Sequence, residues 1–66
     1  MKRINLGQKV RKAREKANLS REVVAVRAGI GTNTLFRIEN NIGKPNVTTL
    51  KCLADVLNIP IEELRG

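Results

Sequence analysis

An all-α fold of five short helices is what this sequence predicts, on three observations. Apolar residues recur at spacings of three and four, and the β-branched residues never alternate over a useful length, so helices are favoured over strands. Asn, Ser, Gly and Pro punctuate the apolar runs where helices start and stop. With 66 residues the chain has room for one domain, since chains of this size bury only ~60% of the surface they expose when unfolded. Residues 1–66 are therefore read as a single domain with residues 1–5 as a basic arm.

The first helix is expected from Leu6 to about Ala17, with Asn5 as its cap, Gln8 three residues on, and Leu6, Val10 and Ala13 as its inward stripe. Ser20 caps the second helix, which carries Glu22 in the first turn, where the helix dipole favours negative charge. Gly29 ends it, because a helix that must stop and turn within a few residues needs a left-handed conformation that glycine adopts freely. The third helix spans roughly Thr32 to Asn40, and residues 40–46 form a loop. Asn46 caps a fourth helix that points Val47, Leu50, Leu53, Ala54 and Leu57 inward. Asn58 stops it in the left-handed conformation, and Pro60 opens a last short helix with Ile61 and Leu64.

Charge narrows the partner. Thirteen Lys and Arg against six Asp and Glu give a formal net charge of +7 and a pI near 10.6, which favours a polyanion over an acidic substrate. The bases concentrate in residues 1–16 and the acids in residues 55–66, so one end is expected to face the polyanion and the other to face away. With one cysteine and no histidine there is no Cys/His cluster for zinc and no intramolecular bridge, and a reducing cytoplasm is the simplest compartment. No apolar run approaches the ~18 residues of a spanning helix, and the basic N-terminus is not followed by the unbroken apolar stretch of a signal peptide. Neither a catalytic constellation, a cofactor nor a small-molecule ligand is expected, since a convergent acid–base or nucleophilic set is missing.

Two short helices joined by a glycine turn, in residues 21–40, have a shape suited to entering DNA. Together with LGQKVRKAREKANLS before them and KPNVTTLKCLADVLNIPIEEL after, the stretch AGIGTNTLFRIEN resembles the Cro and phage-lambda-repressor-like helix-turn-helix proteins, the XRE family, over nearly the whole chain. The resemblance implies a compact five-helix DNA-binding domain with its helix-turn-helix in helices two and three. It also implies sequence-specific binding to duplex DNA, commonly as a homodimer on a palindromic operator, and an arginine on helix one paired with a glutamate on helix three, here Arg14 and Glu39. Arg14→Ala is then expected to lower stability and to affect binding only indirectly.

A helical wheel points the same way. At ~100° per residue, Thr32, Phe36 and Asn40 share one edge of the third helix with Asn33 and Arg37 beside them, and Leu35 and Ile38 lie opposite. In a major groove Asn matches an adenine edge, Arg matches guanine O6 and N7, and a Thr methyl or Phe ring can touch a thymine methyl. Thr32, Asn33, Phe36 and Arg37 are the expected base contacts, joined by Arg21 on the resemblance. Phosphate contacts are expected from Gly31, Thr34, Asn40, Lys44 and Asn46, with Lys2 and Arg3 as an arm along the backbone. Lys9, Arg11, Lys12 and Lys16 are read as a solvated face. A single aromatic residue argues against single-stranded nucleic acid, which is usually bound by stacking on several rings.

Some positions depart from the family pattern. Gly31 stands where Ser or Thr commonly caps the third helix, and Val23 and Val26 replace positions that are usually polar. Those two valines leave open a protein-interaction module of antitoxin or anti-repressor type, and the net charge leaves open a non-specific nucleic-acid binder. With no further domain expected after residue 66, a dimer would use the domain itself, around Ile59, Ile61 and Leu64. Cys52 is read as a partly exposed structural thiol.

Overall fold

The computed structural model describes residues 5–65; Lys2 and Arg3 of the expected arm lie outside the described residues. The elements are α1 (Leu6–Lys16), α2 (Arg21–Ala28), α3 (Thr32–Glu39), α4 (Val47–Leu57) and α5 (Ile61–Arg65), with no strand among the described residues. None of these helices is long and apolar enough to cross a membrane.

Each start follows from its cap. Asn5 Oδ1 accepts from the Gln8 amide at 2.9 Å while Gln8 Oε1 accepts from the Asn5 amide at 3.4 Å, a complete capping box. Ser20 Oγ accepts from the Val23 amide at 3.2 Å, and Asn46 Oδ1 from the Thr49 amide at 2.8 Å. Gly31 heads α3 with no side-chain cap. Pro60 stands just before α5 rather than inside it, and its carbonyl accepts from the Glu63 amide.

The ends of α1 to α4 share one device. A left-handed residue, Asn18, Gly29, Asn41 or Asn58, is followed by an apolar one whose amide reaches back to the last turn. Leu19 donates to Arg14 O at 3.1 Å, Ile30 to Ala25 O at 2.9 Å, Ile42 to Arg37 O at 2.8 Å and Ile59 to Ala54 O at 3.0 Å. These are Schellman closures, which satisfy otherwise orphaned carbonyls and turn the chain sharply. Leu19, Ile30 and Ile59 then tuck against the core. Ile42 does not, and stays 53% exposed.

The core is built from Val10, Val24, Ala25, Ala28, Leu35, Ile38, Leu50, Leu53, Ala54, Leu57 and Leu64. α2 packs against α4, and α3 packs against both α1 and α2; α5 closes the far side against α1 and α4. Two expectations are corrected here. Val47, expected inward, is 53% exposed, because it is the first residue of α4 and the core begins one turn later at Leu50. Leu64, expected at a dimer surface, is 3% exposed: α5 is short and uses its one leucine to seal the monomer.

Gly7 shows how tightly α1 meets the end of α3. It is buried, its amide donates to Asn41 Oδ1 at 3.0 Å, and a Cβ built on it would meet the Glu39 carbonyl carbon at 2.7 Å and Asn41 Nδ2 at 2.9 Å. Helix propensity alone would make Gly7→Ala stabilising by up to ~1 kcal/mol. The contact with backbone reverses the sign, and the expected outcome in urea unfolding is a loss of about 1–3 kcal/mol.

Candidate nucleic-acid interface

Packing gives α3 two faces of different chemistry. Leu35, Ile38 and Glu39 are buried, which leaves Thr32, Asn33, Thr34, Phe36, Arg37 and Asn40 exposed on the outside. The glycine turn sets this orientation: Gly29 adopts φ 70° and lets α3 leave α2 within three residues, with its outer face clear of the other helices. The side chains expected at base edges on α3 therefore share one exposed surface. Phe36, the chain's only aromatic residue, is 47% exposed there.

Beneath that surface lies a buried carboxylate. Glu39 Oε2 accepts from Arg14 Nε at 2.7 Å, and Oε1 accepts from Arg14 Nη2 at 3.3 Å. Arg14 Nη1 continues to the Leu19 carbonyl at 3.0 Å, so one arginine ties α1 to α3 and to the loop before α2. The implied Arg14–Glu39 pair is present, with the Glu39 side chain 2% and the Arg14 side chain 12% exposed. A second partner was not anticipated. Arg21 Nε donates to Glu39 Oε1 at 3.1 Å, and the Arg21 guanidinium carbon stands 5.3 Å from the centre of the Phe36 ring. Two guanidinium groups against one carboxylate leave one positive charge, carried by Arg21, the outer member.

The remaining expected contacts lie around this face. Gly31 at the head of α3 is exposed, and a Cβ there would meet only Thr34 Oγ1 at 3.7 Å. Asn40 caps the end of α3, and its Nδ2 donates to the Phe36 carbonyl at 2.8 Å, which engages one of its two amide hydrogens. Lys44 and Asn46 border a shallow hollow with Thr34, Arg37 and Ile42. The opening amides of α4 precede the first backbone bond of that helix, Leu50 to Asn46 O, as suits an anion at a positive helix end.

Ile42 was not singled out in the sequence. It also lines a second hollow with Asn33, Phe36 and Arg37, so the exposed face carries two apolar side chains, not one. The signal was present: Asn41-Ile42 repeats the Asn-then-apolar pattern of Asn18-Leu19 and Asn58-Ile59. Its exposure depends on the tertiary packing and could not be read from that pattern.

The expected separation of charge into a basic end and an acidic end is corrected. Because α1 packs on α5, Lys9, Lys12 and Lys16 border the same hollow as Glu62 and Glu63, and Arg11 pairs with Glu15 at 3.3 Å. Arg21 lies beside Phe36 of α3, and Arg37 and Lys44 border the hollow next to that helix. On α2, Val26 is 78% and Val23 37% exposed, and Cys52 is partly buried.

A helix-turn-helix family model matches residues 10–64. The chain is 41% identical over 59 residues to RghRB, an uncharacterized HTH-type transcriptional regulator of Bacillus subtilis (strain 168), over 88% of this chain and 42% of that protein. It spans half or less of the length of the curated relatives it matches. Among solved structures it is similar to the restriction-modification controller protein C.AhdI of Aeromonas hydrophila, with a TM-score of 0.86 and 27% identity over 89% of each chain. It also shares the fold of the DNA-binding domain of the P22 c2 repressor, with a TM-score of 0.91 and 20% identity over 98% of this chain and 86% of that one.

Proposed function

The chain belongs to the helix-turn-helix family of the XRE, or lambda-repressor-like, type, and from that premise we propose that it is a sequence-specific transcriptional regulator that binds duplex DNA. In this reading α3 enters the major groove and the protein represses by occupying its operator. That family is one of DNA-binding regulators rather than enzymes. One observation carries the proposal: Thr32, Asn33, Phe36 and Arg37 stand exposed on a helix whose opposite face is locked into the core by Leu35, Ile38 and Glu39.

The roles divide by chemistry. Asn33 and Arg37 read base edges, Thr32 and Phe36 touch thymine methyls, and Gly31, Thr34, Asn40, Lys44 and Asn46 position the domain on phosphates. A homodimer on a palindromic operator places half-site centres about 34 Å apart, one turn of the duplex. With Leu64 inside the monomer, the partly buried Ile59 and Ile61 are the side chains proposed for that contact. The site of action is the cytoplasm, on the chromosome or another duplex.

A titration of a selected duplex against random duplex at two salt concentrations tests the reading. Sequence-independent phosphate binding falls steeply with salt and shows no preference, so a protein that binds both duplexes equally well is not this regulator. Arg37→Ala is expected to cost about 1–3 kcal/mol of binding and to relax preference at one base position. Lys44→Ala is expected to weaken all sequences alike and to reduce the salt slope by about one. Equal losses on every sequence for both variants would contradict this division of roles.

A further inference from the structure

We propose that Arg21 and Phe36 act as one reading unit, anchored from below by Glu39, that recognises a guanine and the thymine beside it; the proposal rests on the placement of α3 in the major groove argued above. Arg21 comes from the start of α2 and Phe36 from the middle of α3, so the unit is assembled by the turn between them.

Three features orient Arg21. Its Nε is engaged by Glu39 Oε1 at 3.1 Å, and Nε is its only guanidinium nitrogen hydrogen-bonded among the described residues. Its guanidinium lies 5.3 Å from the Phe36 ring centre, within the ~6 Å over which a cation is attracted to a ring face. Its carboxylate partner is itself held by Arg14 through two further bonds. A long, flexible side chain is thereby confined, with the Nη1 and Nη2 fork as its unengaged end.

That fork matches guanine O6 and N7, and the exposed ring of Phe36 suits the thymine C5-methyl. The spacing sets how the two bases relate. The two groups lie against each other at 5.3 Å and base pairs stack ~3.4 Å apart, so a fork and a ring held this close are assigned to neighbouring pairs. Arg37, by contrast, has no ion-pair partner among the described residues and reads its base without such an anchor. Phe36 thus has two roles, as an apolar contact for thymine and as the surface that holds Arg21 in position.

Base analogues test this atom by atom. In the best duplex selected from a random pool, each guanine is replaced in turn by 7-deazaguanine, which removes N7, and each thymine by uracil, which removes the methyl. Dissociation constants are measured for the wild type, Arg21→Lys and Phe36→Leu. For the wild type, one 7-deazaguanine is expected to weaken binding on the order of tenfold, and uracil at the adjacent pair to weaken it less. Arg21→Lys, which keeps the charge beside Glu39 but not the fork, is expected to reduce sensitivity at that guanine alone. Phe36→Leu is expected to keep sensitivity to the thymine methyl and to reduce sensitivity at the guanine. Thermal unfolding is expected to show that both variants remain folded, since Arg14 still pairs with Glu39.

If Arg21→Lys leaves every analogue sensitivity in place and lowers affinity for all duplexes alike, Arg21 is a phosphate contact and the proposal fails. Sensitive guanine and thymine positions that are not neighbours overturn it too. A wild-type protein that prefers no selected duplex overturns the operator reading, and this proposal with it. A preference that survives Arg21→Lys unchanged at every position overturns this proposal alone.

Discussion

Glu39→Ala is expected to unfold a large fraction of the protein, because it leaves the Arg14 guanidinium inside the domain with only the Leu19 carbonyl to answer it. Breaking a buried ion pair from one side costs about 3–5 kcal/mol. The total stability of a domain this size is roughly 3–10 kcal/mol, so the loss is comparable with the whole. Arg21→Ala is expected to cost under about 1 kcal/mol, since the Arg21 side chain is 37% exposed and solvent already screens its half of the network. Urea unfolding followed by circular dichroism separates the two. Near-equal losses would mean that Arg21 rather than the deeper Arg14 carries the network, against the difference in their burial. Replacing Arg14 and Glu39 together by leucine is expected to cost less than the sum of the single changes, because neither charge is then left buried alone.

Leu35→Ala is the second large effect. Leu35 is fully buried and sits on α3 directly behind the exposed row, so its loss opens a cavity under the outer face of that helix. Such truncations cost about 2–5 kcal/mol, and each kcal/mol moves the melting midpoint by about 4–8 °C in a domain this small. A drop of less than about 8 °C would place Leu35 outside the core. Saturating duplex is expected to restore part of the midpoint, because a ligand that binds only the folded state stabilises it by mass action. Leu53→Ala, at an equally buried position on α4, is expected to lose similar stability. If duplex rescues Leu53→Ala but not Leu35→Ala, the cavity has also distorted the outer face of α3.

The positions of the helices were legible because their signals are local. Asn5 with Gln8, Ser20 and Asn46 start helices by bonds that span three residues, and each is made. Gly29 and Asn58 stop helices in the left-handed conformation read for them. Asn18 and Asn41 do the same, each followed by an apolar residue as Asn58 is. The exposure of Phe36 followed from the wheel, since burial of Leu35 and Ile38 determines what the other face must be.

Where the signal was not local, the sequence reading fell short. Val47 and Leu64 are both apolar and both at suitable spacing, yet one lies beyond the rim of the core and the other seals it. Hydrophobicity reports the preference to be buried, and only the packing of α5 on α1 and α4 decides which residue is. The same packing brings the lysines of α1 beside the glutamates of α5, which no count of charge along the chain could show.

By itself, then, the sequence determined five helices, their caps and stops, and which face of α3 turns outward, because each of these rests on bonds or periodicities within a few residues. Tertiary structure alone decided that Gly7 meets the end of α3, that Glu39 holds two arginines, and that Arg21 stacks on Phe36. Those partners stand 34, 25, 18 and 15 residues apart. Their meeting depends on how α1, α2 and α3 cross, and no local propensity encodes a crossing.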